Sequence, residues 1–279
     1  MKKRICLLHT GGTIGMVPSE TGYVPKEGYL SSLLGEIRDL RAPEMPEYVF
    51  KELSPLLDSS DMAVAEWNRI GEEIAALYDA FDGFVVLHGT DTMAYTAAAL
   101  SFMLENLEKP VILTGSQIPL CEVRSDGRDN LITSLLIAAS GKTPEVCLYF
   151  GGRLLRGNRA TKMSADGLLA FDSPSCLHLA EAGIDIRYLP TPPPPKPAKG
   201  ESLRLRRFSS VPIGVLKVFP GIPFPLFDTV MTEKLRGIVL ETFGAGNIPG
   251  RSDSLYPSSA VHMMQVRLSR FARNVLQAR

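Results

Sequence analysis

The strongest constraint in this sequence is a pattern that occurs twice. Ile5-Cys6-Leu7-Leu8 is a short apolar run that leads through His9-Thr10 to Gly11-Gly12-Thr13. Gly83-Phe84-Val85-Val86-Leu87 is a second such run, followed by His88-Gly89-Thr90-Asp91-Thr92. Apolar runs without alternation are strands buried on both faces, which places them in a parallel sheet covered by helices. Glycine at the end of each lets the chain turn sharply. In open α/β sheets, ligands bind outside the carboxyl ends of the strands. A lone Thr-Gly-Gly-Thr is equally an ordinary turn. Two strand ends carrying hydroxyls, one beside a carboxylate, instead predict a polar site at one sheet edge. Paired glycines there would let backbone N–H groups approach a ligand. The spacing lacks the full Gly-x-Gly-x-x-Gly pattern and a P-loop lysine, which argues against a nucleotide.

Composition narrows the class. The 279 residues are 45% hydrophobic and 22% charged, as expected of a globular protein of one large or two smaller domains. Lys plus Arg equals Asp plus Glu at 30 each, so no charge excess points to nucleic acid or an anionic membrane surface. The basic Met1-Lys2-Lys3-Arg4 precedes too short an apolar run for a signal peptide, and no stretch has the length of a membrane span. Cys6, Cys121, Cys147 and Cys176 lie far apart, without zinc or disulfide-scaffold spacing, and a reducing cytoplasm is the expected home.

Along the chain, 16–28 is rich in Gly, Pro and polar residues and is expected to form a mobile flap over the first strand end. Its Tyr23 either pins the flap to the surface or swings in to assist chemistry. Helix is expected at 29–37 and strand at 48–53. Asp61 is placed to cap a helix whose Val64, Trp67, Ile70, Ile74 and Leu77 form one apolar face. Ser59 and Ser60 are turn residues or face the same crevice. An almost wholly apolar helix over 94–104 must be buried, and strands follow at 110–113 and 146–150. Between them the charge-rich segment 124–130 is either an exposed ion-pair cluster or a structural or subunit contact. Lys162, in a polar loop, gains meaning only if the fold returns it to the two threonines. Strand alternating with helix predicts an α/β, doubly wound, mostly parallel sheet of flavodoxin-like order. Residues 1–189 would form this catalytic domain, the proline run within 190–210 a linker, and 211–279 a smaller α/β domain. Within the latter, strands are expected at 215–219 and 237–241, with a helix near 227–235.

Taken together, these residues resemble the bacterial-type L-asparaginases, in particular the cytoplasmic type I branch. The motifs that carry the resemblance are His-Thr-Gly-Gly-Thr-Ile-Gly at 9–15, Asp-Ser-Ser-Asp-Met at 58–62 and His-Gly-Thr-Asp-Thr-Met at 88–93. Thr-Gly-Ser-Gln-Ile-Pro-Leu at 114–120, Arg-Ser-Asp-Gly-Arg at 124–128 and Gly-Ala-Gly-Asn at 244–247 complete the set. The resemblance implies an amidohydrolase that converts L-asparagine, and in some relatives L-glutamine, to the acid and ammonia. Thr13 would be the nucleophile that forms the acyl-enzyme, with Tyr23 as its partner. Thr90, Asp91 and Lys162 would form a second triad. Asp58, Ser59, Ser60, Thr90 and Asp91 would hold the substrate, and backbone N–H groups around Gly89 and Thr90 would suit an oxyanion hole. Asn247 would reach the active site of a neighbouring subunit in a homodimer or homotetramer. No metal or organic cofactor, nucleic acid or membrane is implied. The competing reading is an inactive homologue that binds small amides without turnover.

From about Pro257 the resemblance stops, where the family has a helix and then an apolar strand ending in Thr-Gln-Cys. Met263-Met264 constrains the underlying codons. Read two bases later, His262–Gln265 becomes Tyr or His, then Asp, Ala, and Gly or Ser. In the same frame Leu268–Val275 can encode an apolar run followed by Thr-Gln-Cys. The expectation is a frameshift near Pro257 that truncates the second domain, which the nucleotide sequence would decide.

Overall fold

The computed structural model describes residues 2–20, 22–195, 198, 200–223, 227, 234–244 and 246–249. The chain forms two compact units, Met1–Phe208 and Ser209–Arg279.

In the first unit the apolar runs form strands β1 (Arg4–Gly11), β2 (Glu47–Leu57), β3 (Gly83–Leu87), β4 (Val111–Thr114) and β5 (Val146–Phe150). They pair in parallel in the order β2-β1-β3-β4-β5, the flavodoxin-like arrangement. The chain runs from β1 outward to β2 and then crosses back to β3, so the strand order reverses at β1/β3, where ligands bind in such sheets. Helices α1 (Tyr29–Glu36) and α4 (Gly127–Ser140) cover one face, and α2 (Val64–Leu77) and α3 (Met93–Met103) the other. Alternation along each strand feeds both layers. Ile5, Leu7, Val85 and Leu87 pack with Leu30, Leu34, Leu131 and Leu135, whereas Cys6, Leu8, Phe84 and Val86 pack with Ile70, Ile74, Leu100 and Met103.

Several expectations change. The 16–28 segment is a β-hairpin of Met16–Ser19 and Gly22–Pro25. Asp61 does not cap α2. The cap position is Ala63, whose amide donates to Glu66 Oε2 at 3.0 Å, while Asp58 caps the short turn before it. Helix α3 is not buried all round: Tyr95 and Phe102 stand 68% and 60% exposed. Beyond β5 the sheet continues through antiparallel strands β6 (Arg153–Arg156), β7 (Ala180–Ala182) and β8 (Ile186–Tyr188). The chain past the proline run returns to this unit. Arg204–Leu205 pairs with Leu104–Glu105, and Asn68 exchanges hydrogen bonds of 2.8 and 2.9 Å with the Phe208 backbone.

In the second unit, β9 (Ile213–Lys217) and β10 (Gly237–Glu241) pair in parallel over a small core of Leu216, Val218 and Ile222. The helix expected near 227–235 and the frameshift expected near Pro257 fall mostly or wholly outside the described residues.

Candidate active site

The strand-end glycines allow loops to approach one another closely. Gly12 (φ +92°) lies against Gly89, so that a Cβ on Gly12 would meet the Gly89 amide nitrogen at 2.3 Å. Gly89 in turn faces Ser59, whose Oγ would lie 2.3 Å from a Cβ there, and a Cβ on Gly115 would lie 2.4 Å from the His88 carbonyl oxygen. Thr92 Oγ1 donates to the Ser59 carbonyl at 2.7 Å, and Thr10 Oγ1 to the Leu87 carbonyl at 2.9 Å. The loops after β1, β2, β3 and β4 therefore converge at one edge. Thr13 and Thr90 each follow directly on the glycines that touch, Gly12 and Gly89.

Thr90 is buried, and its hydroxyl has a defined direction. Lys162 Nζ donates to Thr90 Oγ1 at 2.9 Å and to Asp91 Oδ1 at 2.8 Å. The Thr90 hydroxyl donates to Gln117 Oε1 at 3.1 Å. Lys162 lies in a two-stranded ladder, Thr161–Lys162 against Phe171–Asp172, which carries it back to the sheet edge. Its side chain is mostly shielded, at 19% exposed, whereas that of Asp91 is 65% exposed. The fold thus returns Lys162 to Thr90, and among the described residues Lys162 forms no hydrogen bond to Thr13.

Gln117 itself carries no local sequence signal of a role at the site. Its Nε2 donates to the carbonyls of Ala165 and Gly167 at 3.1 and 3.2 Å, which leaves Oε1 to face Thr90. Asp126, from the charge-rich segment, holds the loop that carries it. Its carboxylate accepts from the amides of Gln117 and Ile118 and from Asn130 Nδ2 at 3.0 to 3.2 Å. Buried Asn130 also bonds the Gly115 carbonyl and the Gly151 amide. The segment is structural at Asp126 and Asn130, and an ion pair at Arg128, which meets Asp39. The available signal was Thr114-Gly115, a third strand ending in threonine and glycine.

The remaining candidates are placed as follows. Asp58 Oδ1 accepts from both the amide and the hydroxyl of Ser60 at 2.9 Å, and Ser59 is buried under Gly89. Thr13 opens a short 3-10 turn and is half-buried. Tyr23 sits on the hairpin, 46% exposed, and its hydroxyl donates to Glu122 Oε1 at 2.9 Å rather than to Thr13. That carboxylate holds the phenol proton and raises the Tyr23 pKa above its ordinary value. Asn247, in the second unit, forms a backbone bridge with Phe243 at 2.9 and 3.0 Å. Beneath the Thr13 turn, His9 is 1% exposed, with neither ring nitrogen hydrogen-bonded among the described residues and Nε2 3.9 Å from Glu52 Oε2, and burial lowers its pKa to about 4. Among the described residues no cluster of His, Cys, Asp and Glu could hold a metal ion, and no helix is long and apolar enough to cross a membrane.

Comparison with known proteins gives a consistent answer. Residues 4–194 match the family described as Asparaginase, N-terminal. The chain is 52% identical to L-asparaginase 1 of Escherichia coli K12 over 248 residues, covering 89% of this chain and 73% of that protein. It is 42% identical to the mouse 60 kDa lysophospholipase, covering 91% of this chain and 48% of that protein. The crystal structure of L-asparaginase I from Vibrio cholerae superimposes with a TM-score of 0.86 at 42% identity, over 97% of this chain and 79% of that one.

Proposed function

The chain belongs to the asparaginase family, and we propose that it hydrolyses the side-chain amide of L-asparagine to L-aspartate and ammonia through a threonine acyl-enzyme. The observation that carries the reading is Lys162, held between the Thr90 hydroxyl and the Asp91 carboxylate at the point where the strand order reverses. Thr13 Oγ adds to the amide carbon, its proton passes to the departing nitrogen, and ammonia leaves an aspartyl ester on Thr13. Water then adds to the ester and returns the threonine. Thr90 serves this second step. Its proton is directed at Gln117, so a lone pair faces Lys162, and Lys162 and Asp91 set the protonation of the group. Amides around Gly89 and Thr90 face the oxyanion, a contribution of about 3 kcal/mol for each well-placed donor.

Asp91 takes the substrate's ammonium, and Ser59, Ser60 and Asp58 its polar end. Tyr23 leaves Glu122 to assist Thr13. Asn247 completes the site of a neighbouring subunit in a homodimer or homotetramer, glutamine is the second substrate to assay, and the cytoplasm suits four free thiols. Acid-quenched turnover followed by peptide mass spectrometry tests the chemistry. An aspartyl ester on the peptide containing Thr13 is expected, and an ester on any other hydroxyl overturns the assignment.

A further inference from the structure

Below the Gly89-Thr90 turn lies a buried chain of hydrogen bonds with no part in the chemistry above. Trp67 Nε1 donates to Thr96 Oγ1 at 3.1 Å, Thr96 Oγ1 lies 2.9 Å from His88 Nε2, and His88 Nδ1 lies 2.7 Å from the Gly89 carbonyl oxygen. Thr96 is 0% and His88 1% exposed. The protons follow from what each group can do. A carbonyl only accepts, so Nδ1 carries a hydrogen, and an indole only donates, so Thr96 Oγ1 accepts from Trp67. Burial keeps the imidazole neutral, with a pKa lowered to about 4, so Nε2 is bare and receives the Thr96 hydroxyl proton. The relay has one direction, Trp67 to Thr96 to His88 to Gly89.

We propose that His88 and Thr96 are positioning residues that lock the Gly89–Thr90 peptide so that the Thr90 N–H faces the reacting carbonyl. In a trans peptide the C=O and N–H point to opposite sides, and the described cis bond of this chain lies elsewhere, at Ser54–Pro55. Drawing the Gly89 oxygen toward the core therefore turns the Thr90 N–H away from it. Among the described residues that N–H meets no acceptor. Glycine is the residue whose flanking peptides rotate most freely, so a polar tether is what such a turn requires. Gly12 and Ser59 press on the same glycine from the loops after β1 and β2, which fixes its place but not the plane of its peptide.

The inference rests on the amide-hydrolysis reading, and its test separates the two. Steady-state ammonia release from L-asparagine is measured for the full chain, Thr96→Val and Thr96→Ser, with nitrogen-15 NMR of the His88 tautomer in the unmodified chain. Thr96→Val is expected to lower kcat and kcat/KM together by about tenfold or more while KM moves less than about twofold. Thr96→Ser, which keeps the hydroxyl, should stay within about threefold of the parent, and the His88 ring should be the Nδ1–H tautomer. A core contact without a catalytic part would change stability and leave kcat in place. The proposal is overturned if Thr96→Val keeps its kcat, if its loss lies in KM alone, or if His88 carries its proton on Nε2. A parent chain that releases no ammonia overturns the amide-hydrolysis reading itself, and this proposal with it.

Discussion

Gly12 and Gly89 touch so closely that a Cβ on the first would lie 2.3 Å from the second's amide nitrogen. Both are followed by a threonine, so this contact sets the distance between the loops carrying Thr13 and Thr90. Gly12→Ala combines a left-handed backbone with a collision against backbone that cannot yield. It should cost more than about 2 kcal/mol in urea unfolding and remove turnover. Gly28→Ala is the control. At φ +73° with open space around its Cβ, it should cost only the left-handed backbone penalty of about 1–2 kcal/mol and leave turnover in place.

Lys162→Met should lower kcat by about 10²- to 10⁴-fold, the range for a positioned acid or base. Lys162→Arg should not restore it, because a planar guanidinium cannot occupy the point between Thr90 and Asp91. Asp91→Asn should also raise KM, since that exposed carboxylate is the one proposed to take the substrate's ammonium. Steady-state kinetics over a range of asparagine concentrations decide these. A Lys162→Met variant with undiminished kcat would remove Lys162 from the chemistry.

Much of this arrangement was legible in the sequence where the signal is local. Continuous apolar runs marked β1, β3, β4 and β5, and turn residues marked their ends. The antiparallel extension was not legible, because Arg153–Arg156 begins and ends in charge and Ala180–Ala182 is too short to show a period. The hairpin at 16–25 was obscured by Pro18, Gly22 and Pro25, which read as loop. Gln117, Asp126 and Asn130 act through hydrogen bonds to distant backbone, which leave no periodic trace. Thr90 and Lys162 lie 72 positions apart, and only the resemblance joined them in advance.

Stability should fall in mild acid. His9 and His88 have pKa values near 4 in the folded chain against 6.5 when exposed. The unfolded chain therefore binds more protons below pH 6.5. Each contributes at most about 3 kcal/mol, fully present above pH 6.5 and lost as pH falls toward 4. Urea midpoints measured from pH 7 to 4.5 should decline with an uptake of about two protons on unfolding. A flat profile would show that both rings titrate in the folded chain as they do when exposed.

The thiols should divide into two classes. Cys6 and Cys147 are fully buried, and burial raises the first to about 11 and the second well above its ordinary range. Cys121 and Cys176 are only half-buried. In native protein at pH 8, an alkylating reagent should modify the latter pair while the buried pair waits for unfolding. Rapid labelling of Cys6 would mean that β1, which positions Thr13, opens readily.

The most direct test of the central claim is ammonia release from L-asparagine by the purified chain beside its Thr13→Ala variant. The account predicts turnover by the parent and a loss of about a thousandfold or more in the variant, as for removal of a nucleophile. Undiminished release from Thr13→Ala, or none from the parent, would contradict it.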